Sequence, residues 1–401
     1  MADAILALNA GSSSVKFALY RLAAADALDL MARGAVEGIG TAPRFTASDA
    51  AGATLADKRW PDGAPTDHPV DHEAILGDLL DWLDRQLGAD RLLAAGHRVV
   101  HGGSDFAAPV RLTQDIIEAL ERLTPLAPLH QPHSLSPIRA VLALRPSLPQ
   151  IACFDTAFHR TIPPVAARFA LPREYEESGV RRYGFHGLSY EYIARRLREV
   201  APGLAAGRVV VAHLGNGASL CAMRDGRSID TTMSFTALDG LVMGTRCGAL
   251  DPGIVLYMLQ QRGLSPGEVE DLLYRRSGLL GVSGVSSDMR ALLASSDPRA
   301  REAIELFVFR IAQQTAMLAA SLEGLDGFVF TAGIGERAAS IRAMVGERLG
   351  WLGIAIDPAA NERHADRIST AQSRVEVRVI ATDEEGMIAR HVLDALGRRD
   401  R

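Results

Sequence analysis

The sequence predicts an α/β protein built as two domains on a duplicated plan, and three observations carry that expectation. The chain has 401 residues, 48% of them hydrophobic, more than one ordinary core organises, so two domains are the default. Apolar strand-like runs alternate with segments of helical periodicity, the pattern of α/β layering. An apolar strand that runs straight into a turn of glycine and small polar residues occurs three times. The first two occurrences read as one strand–turn–strand device near the start of each half, which implies a ligand held between halves.

The elements follow in order. Ala4-Ile5-Leu6-Ala7-Leu8 is the first strand, Asn9-Ala10-Gly11-Ser12-Ser13-Ser14 its turn, and Val15-Lys16-Phe17-Ala18-Leu19-Tyr20 the returning strand. This is a hairpin signal. Residues 71–87 place Ile75, Leu76, Leu79, Leu80 and Leu83 at helical spacing. Thr161-Ile162-Pro163-Pro164 is the candidate crossing between domains. Arg208-Val209-Val210-Val211-Ala212 leads into His213-Leu214-Gly215-Asn216-Gly217-Ala218-Ser219, the second device. Ser265-Pro266-Gly267-Glu268 has the form of a capping box with proline at the first helical position. Residues 301–322 predict a long apolar helix of the core or a subunit interface. Gly327-Phe328-Val329-Phe330-Thr331 leads into the third turn, Ala332-Gly333-Ile334-Gly335-Glu336-Arg337. A last apolar helix over 385–396 is expected to return to the first domain.

Composition narrows the function classes. Charged residues are 23% of the chain and the formal net charge is −5, so no cationic surplus exists to neutralise a nucleic-acid backbone. The opening residues lack a basic secretory start and no uninterrupted apolar run reaches membrane-span length. Cys153, Cys221 and Cys247 are widely spaced and form no CxxC pair, which suits a reducing cytoplasm and argues against structural zinc. Cys247 beside Arg246 is either a reactive thiol or a tolerated small residue.

The glycine turns point to phosphate handling. Glycine lets backbone N–H groups approach phosphate oxygens, and serine hydroxyls add donors. Lys16 stands two residues beyond the serine run, where a strand could present it to a phosphate. Neither GxxxxGK[ST] nor a GxGxxG after the first strand is present, which disfavours both common nucleotide folds.

Ionisable groups also gather on glycine- and proline-bounded turns. These are Gly96-His97-Arg98-Val99-Val100-His101-Gly102-Gly103, Phe154-Asp155-Thr156-Ala157-Phe158-His159, Arg182-Tyr183-Gly184-Phe185-His186-Gly187 and Met243-Gly244-Thr245-Arg246-Cys247-Gly248. Strand-end loops are where α/β folds place chemistry. Taken singly, His97, His101, His130, His133 and His159 read as structural, and Asp155 as a turn cap. Arg98 and Arg246 sit on glycine-rich loops rather than polar helix faces, which favours a functional reading. A metal-hydrolase reading is open through the histidines, but no HExxH or similarly tight ligand spacing occurs.

These segments and the three glycine turns together resemble the acetate kinase family, in family order across nearly the whole chain. The resemblance implies the duplicated actin/sugar-kinase-like (ribonuclease H-like) fold, with two domains and the active site in the cleft between them. The first domain would span residues 1–155 with the helix of 385–401 packed back on it. The second, 156–384, would carry the nucleotide loops and dimer interface of a cytoplasmic homodimer. The implied reaction is reversible transfer of the ATP γ-phosphoryl group to acetate, giving acetyl phosphate and ADP, with Mg²⁺ (Mn²⁺ able to substitute). The same resemblance assigns Asn9 and Glu384 to the metal, partly through water. It assigns Ser14, Lys16, His213, Leu214, Gly215, Asn216, Gly217, Asp288, Met289, Arg290, Gly333, Ile334, Gly335, Glu336 and Arg337 to the nucleotide. Arg98 and Arg246 would hold the acceptor carboxylate and the transferring phosphoryl group, His186 would stabilise the transition state, and Asp155 would be the acid/base. Val100, Leu129 and Phe185 would wall the acceptor methyl, with Arg98 at its carboxylate.

The nucleophile is already an anion, so strong base catalysis is hardly needed. Bringing two anions together puts the weight on Arg98, Arg246, His186 and Mg²⁺, with Asp155 mainly orienting. Two positions depart from the family. Ala237 stands where proline is usual, implying a roomier acyl pocket and keeping a propionate kinase as the alternative. Arg337 stands where asparagine is common, at the adenosine end. A non-kinase ATPase of the actin or chaperone kind is the remote alternative, and it leaves Arg98, His186 and Arg246 without a reason to converge.

Overall fold

The computed structural model describes residues 2–11, 14–23, 27–39, 42–60 and 72–397. Ser12 and Ser13 of the opening turn, residue 71 and residues 398–401 lie outside the described set. The chain divides into two compact units, Met1–Ala157 with Asp383–Arg401, and Phe158–Thr382. The division therefore falls just upstream of the Thr161–Pro164 stretch.

The first unit carries an eight-stranded sheet: β1 (Asp3–Ala10), β2 (Ser14–Leu22), β3 (Leu28–Glu37), β4 (Arg44–Ser48), β5 (Thr54–Arg59), β6 (Arg91–Val99), β7 (Val110–Arg111) and β8 (Gln150–Phe154). The second carries a five-stranded sheet of β9 (Arg208–Leu214), β10 (Ala218–Arg224), β11 (Arg227–Thr231), β12 (Gly327–Thr331) and β13 (Glu376–Val379). Within the first sheet the order is β5-β4-β3-β2-β1-β6-β8-β7; the second runs β11-β10-β9-β12-β13. The run β3-β2-β1-β6-β8 and the whole second sheet share one plan. An antiparallel three-strand meander ends on the central strand, which is followed by two parallel strands. That common plan is the duplication expected of the actin/sugar-kinase-like fold. Parallel neighbours need crossover helices, which bury the central strands on both faces. β1 accordingly is buried from Ala4 to Ala10, and β9 from Val209 to Leu214.

The helix His72–Leu87 places Ile75, Leu76, Leu79, Leu80 and Leu83 in the first core, beside a cluster of Phe17, Phe45 and Trp82. Both halves of the Ser265–Glu268 capping box form on the helix Pro266–Arg275. The long helix begins at Pro298 rather than 301, because Asp297 caps it and proline occupies its first turn. It runs to Leu322 and packs Ala303, Phe307, Val308, Ile311 and Leu318 inward, against β10 and β11 among others. By length and composition it could cross a membrane, but just over half of its most apolar stretch is buried in the fold.

The C-terminal helix Glu384–Ala395 closes the first unit. Asp383 caps it by accepting from the Gly386 N–H, and Met387, Ile388, Ala389, Val392 and Leu393 are buried against β1, β6 and β8. Gly96 on β6 permits that docking. A Cβ there would lie 2.5 Å from Ile388 Cγ2 and 2.6 Å from Val392 Cγ2. The glycine thus sets how closely the helix, and Glu384 at its start, approaches the sheet.

Candidate active site

The first unit gathers a polar cluster at the ends of β1, β6 and β8. Asn9, 6% exposed, lies opposite Lys16 in the β1–β2 register. Its amide is shared between two carboxylates and a guanidinium. Nδ2 donates to Glu384 Oε2 at 2.8 Å and to Glu385 Oε1 at 2.9 Å, while Oδ1 accepts from Arg98 Nη1 at 3.1 Å. Arg98 Nε and Nη2 both donate to Asp155 Oδ2, at 2.9 and 2.6 Å. Asp155 is 1% exposed and the Arg98 side chain 19%. Burial opposes the Arg98 charge, but Asp155 and Glu384 together outweigh it and hold its pKa above the ordinary value. Glu385 is shifted upward, first by burial and then by the neighbouring Glu384 charge. Lys16 is exposed and draws Glu385 slightly the other way. Ser14 opens β2 and is half-buried. Val100 is buried and Leu129 half-buried in the turn before the helix Gln131–Leu144.

The second unit builds a different cluster around the β9–β10 hairpin. His186 adopts the left-handed conformation at φ 58° and heads the helix Gly187–Val200. Such a backbone is uncommon for a residue with a side chain. Its Nδ1 lies 2.8 Å from Ser219 Oγ, and its ring stacks on His213 with centroids 4.1 Å apart. His213 Nδ1 in turn lies 2.9 Å from Ser189 Oγ. His213 and Ser219 are register partners across the hairpin, so His213 is tied to a serine of the helix that His186 heads, and His186 to the serine that faces His213. Arg246 donates Nη1 to the Ala237 carbonyl at 2.6 Å. A Cβ on Gly217 would stand 2.8 Å from Arg246 Nη2 and 3.3 Å from His186 Nε2. Gly217 is therefore the glycine against which the two donors converge. Phe185 is buried, and its carbonyl lies 2.9 Å from His159 Nε2.

The same hairpin turn borders a cleft of about 780 Å³. Gly215 and Asn216 line it, with Asp288, Met289 and Arg290, and with Gly333, Ile334 and Arg337. The cleft falls where β12 ends and the short helix Ala332–Arg337 begins, with Ala332 at φ 63°. Asp288 also caps the helix Met289–Ala294 and pairs with Arg290. Leu214 and Gly335 are buried behind the lining; a Cβ on Gly335 would touch Phe330 and the Ala212 carbonyl. Glu336 Oε1 accepts from the Thr382 N–H at 3.1 Å. Further polar groups that the sequence pattern does not signal also line the cleft, among them Ser287, Ser340, Glu362 and His364.

Behind the cleft lies Arg342, fully buried. It donates to the carbonyls of Gly335, Glu336 and Asn361 and to Asn361 Oδ1, at 2.7 to 3.0 Å. Its Nη2 also lies 3.0 Å from His364 Nδ1. A cation on the last carbonyls of Ala332–Arg337 suits the negative end of that helix.

Burial pushes His97, His101 and His159 each down to about 4. Burial likewise raises the Cys247 thiol, against a reactive role. Among the described residues no group of three or more His, Cys, Asp or Glu is arranged to hold a metal. The oxygen-rich pair Glu384 and Glu385 on the Asn9 amide fits a hard cation that takes its remaining ligands elsewhere.

Comparison with known proteins agrees with this architecture. The chain is 56% identical over 396 residues to acetate kinase from Rhodopseudomonas palustris, covering 98% of each sequence. Among solved structures it matches a propionate kinase from Francisella tularensis at TM-score 0.88 and 39% identity, covering 97% of this chain and 98% of that one. It matches Porphyromonas gingivalis acetate kinase at TM-score 0.84 and 35% identity, over 98% and 100% of the two chains. The acetokinase family profile matches residues 4–390, and the chain belongs to that family.

Proposed function

We propose that this protein is a phosphotransferase with a carboxyl acceptor that moves the γ-phosphoryl group of ATP reversibly to acetate, giving ADP and acetyl phosphate. One observation carries the reading furthest. The β9–β10 turn borders the cleft through Gly215 and Asn216 and, one residue on, meets His186 and Arg246 at Gly217. A nucleotide in the cleft would extend its phosphates along that turn toward two strong donors.

An acetate oxygen attacks the γ-phosphorus while the bond to the ADP oxygen breaks, and no proton need move. Catalysis then rests on positioning two anions and stabilising equatorial charge. Arg246 and His186 supply donors to the phosphoryl group, and Arg98 supplies charge for the acceptor carboxylate beside Val100, Leu129 and Phe185. Asp155 spends one carboxylate oxygen on both Arg98 nitrogens, which supports an orienting role over proton transfer. Mg²⁺ on the nucleotide phosphates would be reached by Glu384 and Asn9, largely through water, and supplies neutralisation of phosphate charge. Ser14 and Lys16 serve the phosphates in the same reading, and His213, by stacking, supports His186.

A homodimer is part of the proposal. The helix Pro252–Gln260 is strongly apolar yet has no buried residue, and it exposes Ile254, Leu256 and Tyr257. A second copy of the chain is the partner such a face fits. A cytoplasmic location agrees with three free cysteines.

Trapping acyl phosphate as hydroxamate, with acetate, propionate and butyrate at equal concentration and Mg²⁺ present or chelated, tests the proposal. ATP hydrolysis without hydroxamate would sink it. Size-exclusion with light scattering tests the dimer.

A further inference from the structure

The hydrogen-bond chain behind His186 has a direction. Among the described residues, the Tyr190 hydroxyl has one partner, Ser219 Oγ at 2.5 Å, and both residues are fully buried. The Ser219 hydroxyl has two, Tyr190 and His186 Nδ1. Burial holds the phenol far above its ordinary pKa, so it keeps its proton. With no other acceptor, that proton goes to Ser219 Oγ. The single hydrogen of Ser219 then has one acceptor left, His186 Nδ1. A ring nitrogen that accepts carries no hydrogen, so the hydrogen of the neutral imidazole sits on Nε2. Nε2 is the atom aimed at the Gly217 point that Arg246 Nη2 also approaches.

The opposite direction fails on elementary accounting. An imidazolium at His186 would donate Nδ1–H to Ser219, Ser219 would donate to Tyr190, and the Tyr190 hydrogen would be buried without an acceptor. A buried donor left unmade is costly.

We propose that Tyr190 and Ser219 are positioning residues that hold His186 as a neutral Nε2–H donor facing the transferring phosphoryl group. The proposal rests on the phosphoryl-transfer reading of His186. It gives that histidine a donor which stays fixed through the reaction, because a neutral Nε2–H has no exchangeable charge to lose to an acetate or phosphate anion.

The test is ¹⁵N NMR of the histidine side chains in the full-length protein, with Ser219→Ala, Tyr190→Phe and Ser219→Thr beside the wild type. Expected at pH 7 is a wild-type His186 with Nε2 protonated and Nδ1 bare. Ser219→Ala and Tyr190→Phe should shift the ring toward a tautomer mixture or toward imidazolium, and Ser219→Thr should keep the wild-type signature. In Ser219→Ala, kcat should fall at least about tenfold, with KM for ATP and acetate within twofold. A wild-type ring protonated at Nδ1, or a ring state unchanged in both Ser219→Ala and Tyr190→Phe, overturns the relay. A wild type with the expected ring state that forms no acyl phosphate refutes the proposed function and leaves the relay standing.

Discussion

Gly217→Ala isolates the convergence of His186 and Arg246 without removing either. The added methyl would stand 2.8 Å from Arg246 Nη2 and 3.3 Å from His186 Nε2. Ordinary contact needs about 3.5–4.0 Å, so the guanidinium must withdraw by roughly 1 Å. A misplacement of about that size costs on the order of a hundredfold in rate. Loss of a donor from the transition state costs about 2.7–4 kcal/mol, or 10²–10³ in kcat. The fold should hardly notice. Arg246 meets the methyl with the far end of a flexible side chain, and alanine removes about 0.4–1 kcal/mol of unfolded-state entropy. Against that stands the bond from Nη1 to the Ala237 carbonyl, worth about 1.5–3 kcal/mol. The expected variant therefore melts within a few degrees of wild type and loses about a hundredfold or more in kcat. The hydroxamate assay and a thermal scan read both quantities. Combining it with Arg246→Ala should add little further loss, since both act on one group. Activity within threefold of wild type in a folded Gly217→Ala protein would refute the placement of these two donors on the phosphoryl group.

Other outcomes follow from the same geometry. Asp155→Asn should lower kcat about tenfold to a hundredfold by loosening Arg98, and less than Arg246→Ala does; the reverse ranking in the hydroxamate assay would return acid/base work to Asp155. Glu385 has a raised pKa in the fold, so between that value and its ordinary one the folded state binds the proton first. Stability then falls as pH rises, and Glu385→Gln should stabilise the ligand-free protein near pH 8, with the gain shrinking toward pH 4.5, by thermal melts across pH. Arg342→Met strands four buried acceptors and should cost about 3 kcal/mol in urea unfolding while raising KM for ATP more than KM for acetate. Ala237→Pro should lower the propionate-to-acetate ratio of kcat/KM by about tenfold.

What could be read from the sequence was local. The β1–β2 and β9–β10 hairpins, the Ser265–Glu268 capping box and the helix containing Ile75 and Leu83 each declare themselves within twenty residues, because periodicity and turn chemistry are short-range. Glycine-rich turns likewise announced Asn216, Gly333 and Arg246. The partners of those groups were not legible. Nothing in a linear pattern links Tyr190 to Ser219 or Asn9 to Glu385, since these pairs lie 29 and 376 residues apart and meet only in the folded chain. Gly96 sat inside a motif noted for its charges, while its reason is the approach of Ile388 and Val392. Gly335 reads as a phosphate glycine, yet its backbone is packed against Phe330 behind the cleft.

The C-terminal helix has a consequence for synthesis. Asn9 and Arg98 emerge from the ribosome early, but Glu384, Glu385 and the apolar face that covers Gly96 arrive only after the whole second unit has been made. Until then β1 and β6 keep an uncovered apolar surface, and the nascent first unit is the stretch that a chaperone should hold longest. A ribosome stalled before residue 383 would carry all of Phe158–Thr382 while the first unit still lacked its closing helix.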